Sequence, residues 1–427
     1  MTDPFTEKKS VQKPILKYAH EIKWEIVATE EALRLRRGET GMFFCEVLES
    51  KLLELNPKVI TRDNVAEVTK RLQNLRTTIE GNQEALEWLR GHRSIYVPEE
   101  KRERNVNLID FDFEHPEKNT FQATEEWSYT NGKYTNRADV VFLINGIPLI
   151  IGENKKPEEK EAISTALDQL RRYHRETPEL LTPTQIFDVT HLLDFYYGVT
   201  WNLSRKGIFN WKEEEPGNFE RKVKHFFDRE RLLRVIQDYI VFFKREDELE
   251  KIIFRQHQAR AVEKVLGRSL DRKKRTGLIW HTQGSGKTFA MIVAAERLIK
   301  QPEFEKPTVI MLVDRNELES QLFQNLEAYG FESYEIAGSK KELQELLRSD
   351  YRGLIISMIH KFEGIPKDIN KRENVFVLVD EAHRTTTGDL GNYLMGALPN
   401  ATYFGFTGTP IDKILYGKGT FKVFGRE

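Results

Sequence analysis

Apolar positions along this chain follow two periods. Short unbroken runs mark buried strands, as in Gly277-Leu278-Ile279-Trp280 and Val375-Phe376-Val377-Leu378-Val379. Residues 136–144 and 147–155 are two further runs. The Asn145-Gly146 dipeptide between them favours a tight turn, so the stretch predicts a hairpin. Thr200-Trp201-Asn202-Leu203 and Gly207-Ile208-Phe209-Asn210-Trp211 predict two more strands. Helical spacing governs other stretches: residues 289–296, residues 159–175, and most of 13–95, most clearly 24–37 and 43–55. Leu232, Leu233, Ile236, Tyr239, Ile240 and Phe243 share one helical face, which predicts an amphipathic linking helix over 229–248.

One strand-to-helix junction carries chemistry. Between the run ending at Trp280 and the helical pattern from Phe289 lies His281-Thr282-Gln283-Gly284-Ser285-Gly286-Lys287-Thr288. Strand, glycine loop and helix in that order let backbone N–H groups and the positive end of a helix converge on phosphate oxygens. Gly284, Ser285 and Gly286 would form the cradle. Lys287 would reach the β- and γ-phosphates of ATP, and Thr288 would ligate Mg2+. A chance Gly-x-Gly-Lys-Ser/Thr in a chain of this length is roughly a one-in-fifty event. The run 375–379 then delivers Asp380-Glu381-Ala382-His383 at its end. Asp380 is placed to hold the Mg2+ shell and Glu381 to orient and polarise the attacking water, which predicts an ATPase.

Asp-Glu-Ala-His at 380–383 resembles the second motif of DEAH-type superfamily 2 helicases and DNA translocases. His281 stands where the strict phosphate loop has its first glycine, a position these motors leave variable. Phe254-Arg255-Gln256-His257-Gln258 resembles their adenine-reading motif, with Gln258 as the reader of the base edge. Val313-Asp314-Arg315 resembles the motif after the second strand. Ile356 to Phe362 resembles the one that touches the nucleic-acid backbone. Thr407-Gly408-Thr409-Pro410 resembles the third motif, which couples hydrolysis to movement, with Thr407, Thr409 and His383 as supporting residues. By resemblance, residues 251–427 form the first RecA-like lobe. The second lobe of such motors is absent from this sequence, so the chain alone is expected to hydrolyse ATP slowly and not to translocate.

Length and composition narrow the rest. A chain of 427 residues has room for two or three domains. Its 66 basic and 67 acidic residues nearly cancel, so local patches must carry any nucleic-acid contact. Candidates are Arg34-Leu35-Arg36-Arg37, Arg171-Arg172 and residues 268–275. One cysteine, Cys45, excludes a disulfide framework and a thiolate zinc site and agrees with a cytoplasmic location. The first residues lack the apolar core of a signal peptide, and no apolar run approaches the length of a membrane span.

The hairpin holds a second candidate site. It sets Asp139 beside Glu153 and Lys155, a set suited to Mg2+-dependent phosphodiester cleavage. The two carboxylates would hold metal, and Lys155 would add positive charge near the attacked phosphate. Gln169 and Tyr173 lie four apart on the following helix and share a face. With a regular two-residue turn at Asn145-Gly146, Asp139 would pair with Gly152 and Glu153 would face the other way. The chemistry therefore predicts a three-residue loop including Ile147, or a bulge within the hairpin.

Asp139, the interval to Glu153-x-Lys155, and the Gln-x-x-x-Tyr helix resemble the PD-(D/E)xK nuclease fold in its RecB-like branch. Ala138 stands where the family name puts proline. The implied fold class is α/β: a helical region at 1–105, a PD-(D/E)xK endonuclease domain at 106–228, the linking helix at 229–250 and a P-loop ATPase lobe at 251–427. Nuclease before motor, with Asn145 to Leu149 and Trp280 to Thr288 as shared phrases, resembles the restriction subunit of type I restriction–modification enzymes. The resemblance implies Mg2+-dependent cleavage of double-stranded DNA coupled to ATP hydrolysis, in a complex with methyltransferase and specificity subunits and away from membranes. The sequence also admits a nuclease–helicase of another DNA defence or repair system, or an inactive truncated decoy. Residues 1–427 are expected to be an N-terminal portion of a longer subunit.

Overall fold

A computed structural model of the chain describes residues 11–410 and Phe424, apart from 156–160, 192–193, 212–217, 246–247, 272, 283–284, 314–315, 330, 332 and 386–389. The chain divides into two compact units, Met1–Phe254 and Arg255–Glu427.

The strands of the first unit are β1 (Glu25–Ile26), β2 (Ser94–Val97), β3 (Arg102–Asn105), β4 (Phe121–Thr130), β5 (Thr135–Ile144), β6 (Ile147–Asn154), β7 (Ile186–Thr190), β8 (Phe195–Val199), β9 (Phe209–Asn210), β10 (Ile240–Arg245) and β11 (Glu248–Ile253). Seven of them make a mixed sheet in the order β1-β4-β5-β6-β7-β8-β9. β2 pairs with β3, and β10 with β11, as separate hairpins. Every residue of β6 is buried, as expected of a central strand covered on both faces. One face meets the helix Ala162–Glu176 through Ala166, Leu167, Leu170 and Tyr173. The other joins a core that runs from Val11 to Ile253, drawing in the helices Lys13–Glu21 and Cys45–Leu55. At its centre Phe142 stacks on Phe227 at 3.8 Å, and the Trp24 indole donates to the Phe227 carbonyl at 2.8 Å.

Three expectations fail here. The linking helix is not continuous: Arg229–Arg234 is helical, residues 235–239 make one wide helical turn, and Ile240–Arg245 is strand β10. The Ile240-Val241-Phe242-Phe243 run is β-branched and aromatic, and pairing with β11 satisfies its backbone. Thr200 to Leu203 is not strand, because β8 stops at Val199 and Trp201 turns the chain at φ +68°. Residues 24–37 yield only the shorter helix Thr29–Leu35, preceded by the two-residue β1.

The second unit holds β12 (Thr276–Trp280), β13 (Thr308–Val313), β14 (Tyr334–Ile336), β15 (Gly353–Met358), β16 (Val375–Val379) and β17 (Thr402–Thr407). They form one sheet in the order β12-β17-β16-β13-β15-β14, and every pairing is parallel. Such a sheet requires crossover helices, which include Lys287–Lys300 and Lys340–Arg348. β12, β17 and β16 are neighbours, so the segments leaving their C-terminal ends converge, where ligands bind in sheets of this kind. Those segments carry the phosphate loop, Thr407-Gly408-Thr409 and Asp380-Glu381.

Candidate functional site

In the second unit, Gly286 caps the helix Lys287–Lys300 at φ +77°, a conformation that costs glycine little. Lys287 is buried, and its Nζ donates to Glu381 Oε1 at 2.8 Å. Lys287 and Glu381 thus neutralise each other. Glu381 sits at φ +46°, and its N–H donates to Asp380 Oδ1 at 2.9 Å, which fixes the corner after β16. His383 Nδ1 lies 2.9 Å from Thr407 Oγ1, and the Thr409 N–H donates to the same oxygen at 3.1 Å. His383 therefore ties the acidic motif to the third motif. Thr288 lies in the first turn of the helix Lys287–Lys300 and, with Asp380, supplies hard oxygen donors of the kind Mg2+ prefers.

Gln258 sits differently from a free base reader. Its Oε1 accepts the Arg255 N–H at 2.8 Å and its Nε2 donates to the Gly286 carbonyl at 3.1 Å, so its amide is bonded to the phosphate loop. His257 and His281 pack edge to face at 4.9 Å. Burial lowers the pKa of both, that of His281 to about 4. Gly284, and Asp314 and Arg315 of the motif after β13, lie outside the described residues.

In the first unit the hairpin has a two-residue turn, since Ile144 pairs with Ile147, and it carries a bulge. Leu143 pairs with Pro148 and Phe142 with Ile150, so Leu149 is the extra residue. Val140 then stands opposite Gly152, and the register brings Asp139 level with Glu153. The Asp139 Oδ2 accepts the Asn154 N–H at 2.7 Å. Glu153 is fully buried, and its Oε1 lies 2.7 Å from the Tyr173 hydroxyl. Gln169 Nε2 donates to that hydroxyl at 3.1 Å, while Lys155 Nζ donates to Gln169 Oε1 at 2.8 Å and lies 4.0 Å from Glu153 Oε2. Glu153, Tyr173, Gln169 and Lys155 thus close a ring between β6 and the next helix. Burial, reinforced by the charge of Glu153, pushes the Tyr173 phenol far up, so it stays a donor.

Asp188 on β7 is a polar neighbour the sequence reading missed. It is buried, and burial together with the charge of Asp139 raises its pKa well above the carboxylate range. It pairs with Gly152, and a Cβ there would come within 2.9 Å of its carboxylate. A lone acid inside the apolar run Ile186–Thr190 was the available signal. Asp139 and Glu153 offer the hard oxygens that suit Mg2+. Among the described residues no cluster of three or more His, Cys, Asp or Glu forms a ready-made metal cage.

The basic candidates are largely engaged. Arg34 pairs with Glu31 and Glu46, and Arg36 is buried over the Trp127 ring at 4.0 Å. Arg171 pairs with Asp168, Arg172 with Glu176, and Arg275 with Glu373. Among the described residues no helix is long and apolar enough to cross a membrane.

The second unit is a helicase-like P-loop ATPase lobe: residues 257–427 match the SWI2/SNF2 ATPase family. Residues 4–202 match the family described as the type I restriction enzyme R protein N terminus. Over 76% of its length the chain is 33% identical to the MjaIXP subunit of Methanocaldococcus jannaschii, assigned as a type I restriction enzyme endonuclease subunit, and covers 34% of it. Over 92% of its length it is 29% identical to the type I restriction enzyme HindI endonuclease subunit of Haemophilus influenzae, covering 41%. Among solved structures, the UvsW helicase from bacteriophage T4 matches 40% of this chain and 56% of its own at 17% identity and a TM-score of 0.31, a likeness too slight to bear on the assignment. The chain is a relative of the type I restriction enzyme endonuclease subunits. It spans 34% and 41% of the lengths of these two.

Proposed function

We propose that this chain is the nuclease and first motor portion of a type I restriction subunit, which cleaves double-stranded DNA in a complex with methyltransferase and specificity subunits in the cytoplasm. The observation that carries the reading is the ring around Glu153, level with Asp139, in a chain that also holds an ATP site. Residues 106–228 would be the PD-(D/E)xK nuclease, 1–105 its helical companion and 251–427 the first RecA-like lobe. Asp139 and Glu153 would hold Mg2+, which when bound helps to activate water and to stabilise the leaving oxygen. Tyr173 keeps the Glu153 carboxylate in one orientation, and Gln169 holds the Lys155 ammonium near the position of the attacked phosphate. In the second unit ATP would draw Lys287 from Glu381 onto its phosphates, freeing Glu381 to orient water, while Thr288 and Asp380 hold Mg2+. Gln258 would read the adenine edge, and His383, Thr407 and Thr409 would link hydrolysis to movement.

The test is metal-dependent nicking of supercoiled DNA by the wild type and by Asp139→Ala. Loss of nicking in the variant, and on chelation in the wild type, is the expected result. Equal nicking by both would sink the nuclease assignment. An intact fold with no nicking by either would favour the decoy.

A further inference from the structure

A cleft of about 650 Å³ opens in the first unit between the helices Val65–Gln73 and Ile79–Leu89 and the segment leading into β2. None of its lining residues belongs to the site around Glu153. Its size suits a small organic ligand, since such pockets run to roughly 300–1,000 Å³.

Two buried groups in its wall lack a hydrogen-bond partner among the described residues. Trp88 is 3% exposed, and its indole Nε1 has no hydrogen-bond acceptor. Arg93 Nε is likewise buried without one. Buried polar groups are nearly always satisfied. Both of these are donors, so the missing group is an acceptor. The charge of the lining points the same way. Arg71 is paired with Glu67, and Arg93 with Glu87. Lys70 and Arg76, both exposed, make no salt bridge among the described residues, although Glu84 also lines the cleft. The cleft therefore combines oxygen-seeking donors in its wall with two exposed cations at its edge, of which Arg76 also feels the Glu80 carboxylate.

We propose that this cleft binds a phosphate-bearing small molecule of nucleoside-monophosphate size, its oxygens received by the Trp88 and Arg93 N–H groups and its charge matched by Lys70 and Arg76. The inference stands apart from the nuclease reading, because it uses none of the residues of that site.

The test is calorimetric titration of the full chain carrying Lys287→Ala, which silences the phosphate loop, with AMP, inorganic phosphate and a 5′-phosphorylated oligonucleotide in separate arms. AMP should bind at one site, with inorganic phosphate competing for it. Lys70→Glu with Arg76→Glu, both at exposed positions, should weaken AMP by about tenfold or more. Trp88→Phe keeps the ring, removes only the unpartnered donor, and should weaken AMP several-fold without lowering the Tm of the ligand-free protein. Failure of AMP to bind, binding that both changes leave unaltered, or binding confined to the oligonucleotide would overturn the proposal.

Discussion

Tyr173→Phe tests whether the ring around Glu153 is machinery or scaffolding. Tyr173 is fully buried, and its oxygen accepts from Gln169 at 3.1 Å while lying 2.7 Å from Glu153 Oε1 and 2.5 Å from the Arg137 carbonyl. The hydroxyl has one proton, so deleting it removes one donated bond and leaves the Gln169 amide without that acceptor. A bond to a charged group contributes about 1.5–3 kcal/mol, and an unmade buried bond costs about 1–3 kcal/mol. Part of the second cost is recovered because Gln169 keeps Lys155 on its other atom, so the expected loss is about 2–3 kcal/mol. For a unit of this size that lowers Tm by roughly 4–12 °C, measurable by calorimetry. Glu153 meanwhile loses the donor that fixes Oε1, and Mg2+-dependent nicking should fall at least about tenfold, or about 1.4 kcal/mol in the barrier. ATP binding, measured on the same preparation, should not change. A Tm drop of the expected size with unaltered nicking would refute the argument and leave the ring a structural feature of the sheet.

Lys287→Ala removes the cation paired with Glu381 at 2.8 Å and should weaken ATP by about ten- to a hundredfold in calorimetric titration; unchanged affinity would mean that nucleotide binds elsewhere. Lys251→Met breaks a fully buried knot in which Nζ donates to Asn82 Oδ1 at 2.6 Å, the Gln185 carbonyl at 2.9 Å and Thr200 Oγ1 at 3.2 Å. Chemical denaturation should show a loss of about 1–3 kcal/mol from the acceptors left unsatisfied, and no measurable loss would show the knot to be dispensable. His174, chiefly through burial, titrates at about 4 rather than near 6.5. Its unfolded form therefore binds the extra proton between those values, and stability present above pH 6.5 is lost as pH falls toward 4, by about 2 kcal/mol at pH 5. His174→Asn should flatten that slope in denaturation at pH 7 and pH 5; an unaltered slope would assign the loss to other groups.

The ATPase lobe was legible because its sequence pattern is local. A strand, a glycine loop and a helix lie within about two dozen residues, and Asp380 and Glu381 follow directly from an apolar strand. The hairpin bulge was legible for another reason: in a regular two-residue hairpin Asp139 and Glu153 would face opposite sides, and the structure sets them level with a bulge at Leu149. The linking helix was not legible, because residues 239–243 are apolar throughout and so fit a period of 3.6 and a period of 2 equally. What decides for strand at Ile240 is pairing with β11, a partner that periodicity does not reveal.

Contacts set by distant parts of the chain were least accessible. Lys251 reads as one of many lysines in a charged stretch, yet its Nζ is fully buried and donates to Asn82, 169 positions earlier. Asp188 reads as an exception in an apolar strand until Gly152, on the neighbouring strand, is seen to lack the Cβ that would crowd its carboxylate. Gln258 stands where an adenine reader belongs, but its amide is already bonded to Gly286 and Arg255. Reading a base would therefore require Gln258 to surrender or share those bonds. Adenine contact would then act on the backbone of the phosphate loop itself, and would couple recognition of the base to the shape of the cradle. That coupling depends on the distance between two side-chain atoms and two loop backbones, and the order of residues alone does not contain it.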